Sequence, residues 1–303
     1  MFGLGAVSIL TFAAACNKRT SDAHDPQQTS LANKPRMLFF LFGDKGDPRV
    51  LPVAEIASGT VQLIKLDSSG WHNFDKLYFG PASSLSLYQD GKSIGTAVVN
   101  RGMWSGDALY KLPRCRSPRP LAAVTLAASP APAVMLELLA TSEPLPAPPT
   151  RAAPTALDTD SARALLIRSS QREGLTTSAR SELDEVLTVI PTGATPRPTV
   201  VGSYMERGSA INGKPRHVFA IGDYVEGAQS YAQSFVHVAR DTVPEFRRYL
   251  DHLDLTGDGV DEIVLEGWHT GGDSFLIILQ YTNGHWREIA RTAPSWCADP
   301  VTG

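Results

Sequence analysis

Nine residues near the carboxyl end crowd oxygen donors onto one bend: Asp254-Leu255-Thr256-Gly257-Asp258-Gly259-Val260-Asp261-Glu262. Side-chain oxygens stand at positions one, three and five, glycine at six and a carboxylate at nine. With a backbone carbonyl at seven, this order describes a loop wrapped around a hard cation. Gly259 permits the sharp turn that would bring the oxygens to one centre. Ca²⁺ accepts about six to eight oxygens at roughly 2.3–2.6 Å in flexible geometry, which suits so mixed a set. Carboxylates this close repel one another unless a cation neutralises them. An EF-hand is excluded on two counts. Position twelve is Leu265 instead of Glu, and the loop runs into a β-like EIVLEG stretch where an EF-hand would continue as helix.

The segment DLTGDGVDEIVL (254–265) resembles the FG-GAP (integrin-α-like) calcium repeat, whose loop D-x-[DN]-G-D-G-x-x-D runs from strand to strand. The resemblance implies a calcium site with Asp254, Thr256, Asp258, the Val260 carbonyl and Glu262 as ligands, and Asp261 pointing outward to tune the field. Thr256 replaces an Asp or Asn of the pattern and Glu262 replaces an Asp. A hydroxyl is the weaker ligand, so the implied affinity falls toward the ~10⁻⁴–10⁻³ M of extracellular modules. Family members use such loops in β-propellers, but one loop cannot furnish seven blades. A single calcium-pinned hairpin in a β-sandwich or small sheet is expected, with Ca²⁺ stabilising the folded state.

Other chemistry-bearing residues are less specific. Asp273-Ser274 after Gly272 imitates the Gly-Asp-Ser of SGNH-type esterases, but it begins an apolar run late in the chain and no Asp-x-x-His follows. A nucleophile needs a positioned base, and a hydrolase site built from residues distant in sequence would lie near His269 and Asp273. His217, His237, His252, His269 and His285 share no metal spacing. Trp71, Trp104, Trp268, Trp286 and Trp296 could stack on sugars, although tryptophans in a β protein are first of all core.

The address is at the amino end. MFGLGAVSILTFAAAC is an apolar run, too short for the ~20 residues of a membrane span, followed by small residues and Cys16. Ala13-Ala14-Ala15-Cys16 resembles the lipobox of bacterial lipoproteins, which implies cleavage before Cys16 and lipid on its sulfur. Asn17, in place of the aspartate that holds such lipoproteins at the inner membrane, favours an outer-membrane or periplasmic position. An ordinary signal peptide cut after Ala15 is the alternative. With Cys16 consumed, Cys115 and Cys297 remain, and an oxidising compartment favours a disulfide between them.

The rest of the chain must position these groups. At 303 residues it is long enough for about two domains, and 43 % hydrophobic residues are enough for a core. A net charge of −3 gives no basic surface for nucleic acid, so membrane contact is expected through the anchor alone. After residues 1–16 and a polar tether over 17–35, short apolar runs bounded by turn residues predict strands over 36–142. They include MLFFLF (37–42), VQLIKL (61–66), LSLY (85–88), SIGTAVV (93–99), AAVTL (122–126) and VMLELL (134–139), and MLFFLF is apolar on both faces. A proline-rich linker spans 143–158 and a helical segment 159–190, with Thr159 or Asp160 as cap and Gly174 as stop. Within it, 179–190 fits helix or strand. A C-terminal β domain over 191–303 carries the acidic loop. Asp90-Gly91, Asn212-Gly213 and Asn283-Gly284 mark hairpin turns. The fold expected is mainly β, in a sandwich or small antiparallel sheets, with one or two helices and two β-rich halves joined by the linker. The function expected is an exported, cell-envelope lipoprotein with a calcium-stabilised binding or structural module for a protein or carbohydrate ligand. A secreted hydrolase with a non-contiguous site, or a lectin-like sugar binder, are the alternatives.

Overall fold

The first strand shows how the chain organises itself. MLFFLF has no polar alternation, so it is stable only with a core on each side, and in the computed structural model Met37 through Phe42 are all buried. The structure describes residues 34–44, 46–109, 112–127, 135–206, 216–239, 243–270 and 272–297. The leader with Cys16 and the Asn212-Gly213 turn lie outside them.

The chain is mostly β, in three antiparallel sheets. The first holds β1 (Arg36–Asp44), β2 (Arg49–Ala57), β3 (Thr60–Leu63), β4 (Ser84–Gln89), β5 (Lys92–Ser105), β6 (Arg119–Leu126) and β7 (Met135–Thr141) in the order β1-β7-β4-β5-β6-β2-β3. Because β1 also pairs with β2, six of these strands form a ring and β3 is an appendage on β2. The second sheet is β11 (Ser230–Val238), β10 (His217–Val225), β9 (Thr199–Glu206) and β8 (Leu183–Ile190). The third runs β12 (Glu245–Leu253), β13 (Glu262–His269), β14 (Ser274–Thr282) and β15 (His285–Arg291).

Alternation of side chains sets the layers. Met37, Phe39 and Leu41 point into a core shared with Trp71, Phe74 and Tyr78 of helix α1 (Ser68–Tyr78). Leu38, Phe40 and Phe42 point the other way, onto Leu253, Val264, Leu276 and Ile278 of the third sheet. The opposite residues of that sheet, Ile263, Leu265, Ile277 and Leu279, pack on Val201, Phe219 and Ile221 of the second. Helix α2 (Ala156–Arg172) covers the far face of the second sheet through Ala162, Leu165 and Leu166. The order is therefore a six-strand ring that shares its inner core with α1, then the third sheet, the second sheet and helix α2. β13 and β14 lie in the middle layers, which is why EIVL and FLIIL are apolar on both alternations.

Both described Asx-Gly turns have the doubly positive φ that favours this pair: Asp90 +52° and Gly91 +71°, Asn283 +53° and Gly284 +81°. The structure corrects other expectations. Helix α2 starts two residues before Asp158, capped by Thr155 in a reciprocal box with Asp158 instead of by Thr159 or Asp160. It stops at Gly174 (φ +85°), where the Leu175 and Gly174 amides donate to the Ser170 and Gln171 carbonyls. The helical segment does not reach residue 190: after a four-residue α3 (Thr177–Arg180), Leu183–Ile190 is a strand. Its β-branched residues pair along β9 from Ile190↔Thr199 to Leu183↔Glu206, and tertiary pairing decides between two local propensities.

Candidate functional site

β12 delivers Asp254 to the acidic loop and β13 begins at Glu262. Gly257 and Gly259 hold φ of +76° and +88°, so the backbone folds as sharply as the sequence suggests. The oxygens, however, are spent inside the loop. Asp254 accepts from the Gly257 amide through Oδ1 at 2.6 Å and from the Gly259 amide through Oδ2 at 3.0 Å. Asp258 Oδ1 accepts from the Val260 amide at 2.8 Å. Glu262, 1 % exposed, turns into the protein. Its Oε2 accepts from the Leu255 and Thr256 amides at 2.8 and 3.2 Å, and its Oε1 from the Thr256 hydroxyl and Gln280 Nε2 at 3.0 and 3.2 Å. Burial pushes its pKa up to about 7 against the pull of those donors.

Asp261 departs most from expectation. It does not point outward: it is 2 % exposed and grips a guanidinium. Arg151 Nη2 meets Asp261 Oδ1 at 2.8 Å and Nη1 meets Oδ2 at 2.5 Å, while the same two nitrogens donate to the Gly259 and Pro191 carbonyls at 2.9 and 2.6 Å. A bidentate guanidinium is the strong form of this contact. The cation at this bend thus comes from the proline-rich segment, which crosses the loop as a strap. Leu145, further along the strap, donates its amide to Tyr88 Oη at 2.7 Å. Behind Asp261, His252 Nε2 lies 3.7 Å from Oδ2 and Nδ1 lies 2.6 Å from Tyr249 Oη. Burial, with the charges of Arg151 and Lys92 behind it, pulls the His252 pKa down to about 4. Neighbouring Asp251, pushed up to about 7 by burial, accepts from the Gly91 and His252 amides at 2.9 and 2.8 Å. Gly91 has no alternative here, since a Cβ on it would stand 2.5 Å from His252 Nε2.

The five expected ligands, Asp254, Thr256, Asp258, Val260 and Glu262, therefore share one bend but not one centre. Among the described residues no three carboxylate, imidazole or thiolate groups converge as a metal cage. The Asp254, Asp258 and Glu262 carboxylates instead accept from amides, the Thr256 hydroxyl and Gln280, while Arg151 pairs with Asp261, outside the expected set. Millimolar calcium or a chelator should leave the melting temperature within about 1 °C of its starting value, as a ligand without preference for the folded state must. A rise of several degrees that Asp258→Ala removes would restore the cation.

The hydrolase candidates meet but do not form a nucleophilic pair. His269 Nδ1 is 3.2 Å from Asp273 Oδ2 and Nε2 is 3.9 Å from Glu245 Oε2, so both nitrogens face carboxylates and neither is turned to a serine. Ser274 is buried at the start of β14. None of the five tryptophans is exposed: Trp71, Trp286 and Trp296 are buried, Trp104 stacks on Trp71 and Trp268 on Phe246.

A wide concavity lies elsewhere. A cleft of about 960 Å³ opens between β2–β3, the segment leading into α1, and the end of β15. Its walls include Leu51, Val53, Leu63, Leu66, Trp104 and Trp296. Among the described residues no histidine lines it, and the one carboxylate on its wall, Asp67, caps α1 by accepting from the Gly70 amide at 2.7 Å. Cys297, also on the wall, is disulfide-bonded to Cys115, with Cα atoms 5.6 Å apart. No protein-family model, curated protein or solved structure matches this chain.

Proposed function

We propose that the protein is an exported lipoprotein of the cell envelope, anchored through Cys16, whose β-rich body is a binding module with the large cleft as its ligand site. The Cys115–Cys297 bond carries this reading: it joins positions 182 residues apart, and such bonds persist in oxidising compartments. An apolar cleft of this size, whose one carboxylate among the described residues is committed to a helix cap, supports binding over hydrolysis. Calcium, which the loop suggested in isolation, is no part of the proposal.

Expression of the full chain in a Gram-negative host fed radiolabelled palmitate tests the address. The protein should take up label in the membrane fraction, Cys16→Ser should abolish it, and thiol titration of the native labelled protein should count none. An unlabelled cytoplasmic product with titratable Cys115 and Cys297 would overturn the reading.

A further inference from the structure

At one end the second and third sheets meet through a histidine. His217 opens β10 and is 1 % exposed. Its Nδ1 lies 3.0 Å from the Tyr204 carbonyl of β9, and its Nε2 lies 3.0 Å from the Arg247 amide of β12. A carbonyl only accepts and an amide only donates, so Nδ1 carries the proton and Nε2 is bare. The ring is neutral, and backbone on both sides fixes its tautomer. The Nε2 bond ties the start of β10 to the start of β12.

The surroundings are hostile to a second proton. His237 of β11 stands 6.0 Å away between ring centres, and Phe246 of β12 lies against the imidazole at 5.6 Å. The nearby cations are Arg247 of β12 and Arg291 of β15, and the nearby acids are Glu245 and Glu288. Glu245 accepts from Arg247 Nε at 2.5 Å and from Arg291 Nη1 at 2.6 Å, while Glu288 accepts from Arg291 Nε and Nη2 at 2.7 and 2.8 Å. His269 of β13 faces the same Glu245 at 3.9 Å, and Arg216, beside His217 in sequence, is paired with Glu182. These carboxylates are committed to guanidinium groups before an imidazolium could claim one. Burial, with the charge of His237 behind it, pulls the His217 pKa down to about 3. Burial lowers His237 as well, but its Nε2 donates to the Glu245 carbonyl at 2.8 Å, a bond that a second proton on Nδ1 leaves in place.

We infer that His217 is an acid-sensitive latch between the second and third sheets: a proton on Nε2 turns the acceptor of the Arg247 amide into a donor, and the starts of β10 and β12 part. The proton comes from solvent and no covalent bond changes. A histidine whose closed-state value lies below the ordinary one of about 6.5 adds stability above that pH, and loses it as the pH falls toward 3. Between pH 7 and 5 the open form should gain on the closed one roughly twentyfold. The opening stays local, because Phe219, Ile221, Ile263 and Ile277 hold the two sheets together further along. The latch does not depend on the envelope reading or on what the cleft binds.

Hydrogen exchange of the oxidised full chain, carrying Cys16→Ser so that no lipid is attached, tests the latch. It is read by mass spectrometry and corrected for the chemical exchange rate at each pH. From pH 7 to 5, protection of peptides spanning 217–222 and 245–250 should fall roughly twentyfold, while peptides from 262–282 keep theirs. His217→Gln places an amide oxygen where Nε2 stands and takes no proton, so it should remove the fall. Nitrogen-15 spectra of the histidines in the protein with His217 intact need no variant at this position: the His217 ring should keep Nε2 bare throughout that range while the sheets are closed. Protection that does not change with pH, an equal fall in folded His217→Gln, or a His217 ring that takes its second proton near the ordinary pH of about 6.5 with the sheets intact would overturn the inference. If His217→Gln does not fold, the nitrogen-15 spectra decide.

Discussion

Arg151→Ala should lower the unfolding free energy by about 3–5 kcal/mol, the usual cost of removing one partner from a buried ion pair. The substitution strands the Asp261 carboxylate, whose side chain is 3 % exposed, against two other acids of the loop. It also removes the donors to the Gly259 and Pro191 carbonyls. Most of the penalty comes from the orphaned charge, so pairing Arg151→Met with Asp261→Asn should recover about half of it. Arg151→Lys should fall between, because an ammonium keeps the charge but not the fork that serves both carboxylate oxygens. Urea unfolding midpoints at constant slope measure all three. If Arg151→Ala shifted the midpoint by less than about 0.5 kcal/mol, the value of an exposed pair, the strap would not be what fastens the loop.

This contact marks where the sequence stops being legible. The strands from MLFFLF to FLIIL, the Asx-Gly turns and the stop at Gly174 all follow from local rules, because burial on both faces or a positive φ leaves its mark within a few residues. Strand β2 does not: Pro52 in RVLPVAEIA argues against a strand, yet it sits beside a bulge, where the register against β1 jumps between Leu38 and Phe39 and the lost amide costs the ladder least. Helix α1 hides in SSGWHNFDKLY, whose polar composition masks Trp71, Phe74 and Tyr78 on one face and Asp67 as its cap.

The site shows the same divide more sharply. The bend itself is visible in Gly257 and Gly259. The partner of Asp261 stands 110 positions away in a segment read as a linker. One signal was there: Arg151 is the only charged residue between Glu143 and Asp158, and a lone cation in a proline-rich stretch needs a reason. The likeness to a calcium loop rests on side-chain types alone, and types do not reveal that Glu262 would turn inward to Thr256 and Gln280. Burial of that carboxylate follows from its place at the head of β13, a middle-layer strand.

Loss of the Cys115–Cys297 bond should have the largest effect of any single covalent change. Closing a loop of 182 residues removes about 5 kcal/mol of chain entropy from the unfolded state in the loop-closure model. Both cysteines are buried, so Cys115→Ala and Cys297→Ala each lose the bond while leaving no large void. Each single variant should therefore destabilise nearly as much as the pair, whereas two independent packing losses would add. The unfolded chain also expands without the cross-link, so the urea slope should rise along with the fall in midpoint. The folded protein should show a further, local consequence. With Cys297 released, nothing covalent holds Ser295 and Trp296 in their left-handed turn, and the indole is free to leave the cleft wall. Part of the tryptophan fluorescence should then become open to iodide quenching in the Cys115→Ala variant under conditions where its sheets remain intact by far-ultraviolet circular dichroism. Unchanged quenching in that variant would separate the disulfide from the cleft wall and leave it a purely stabilising clasp.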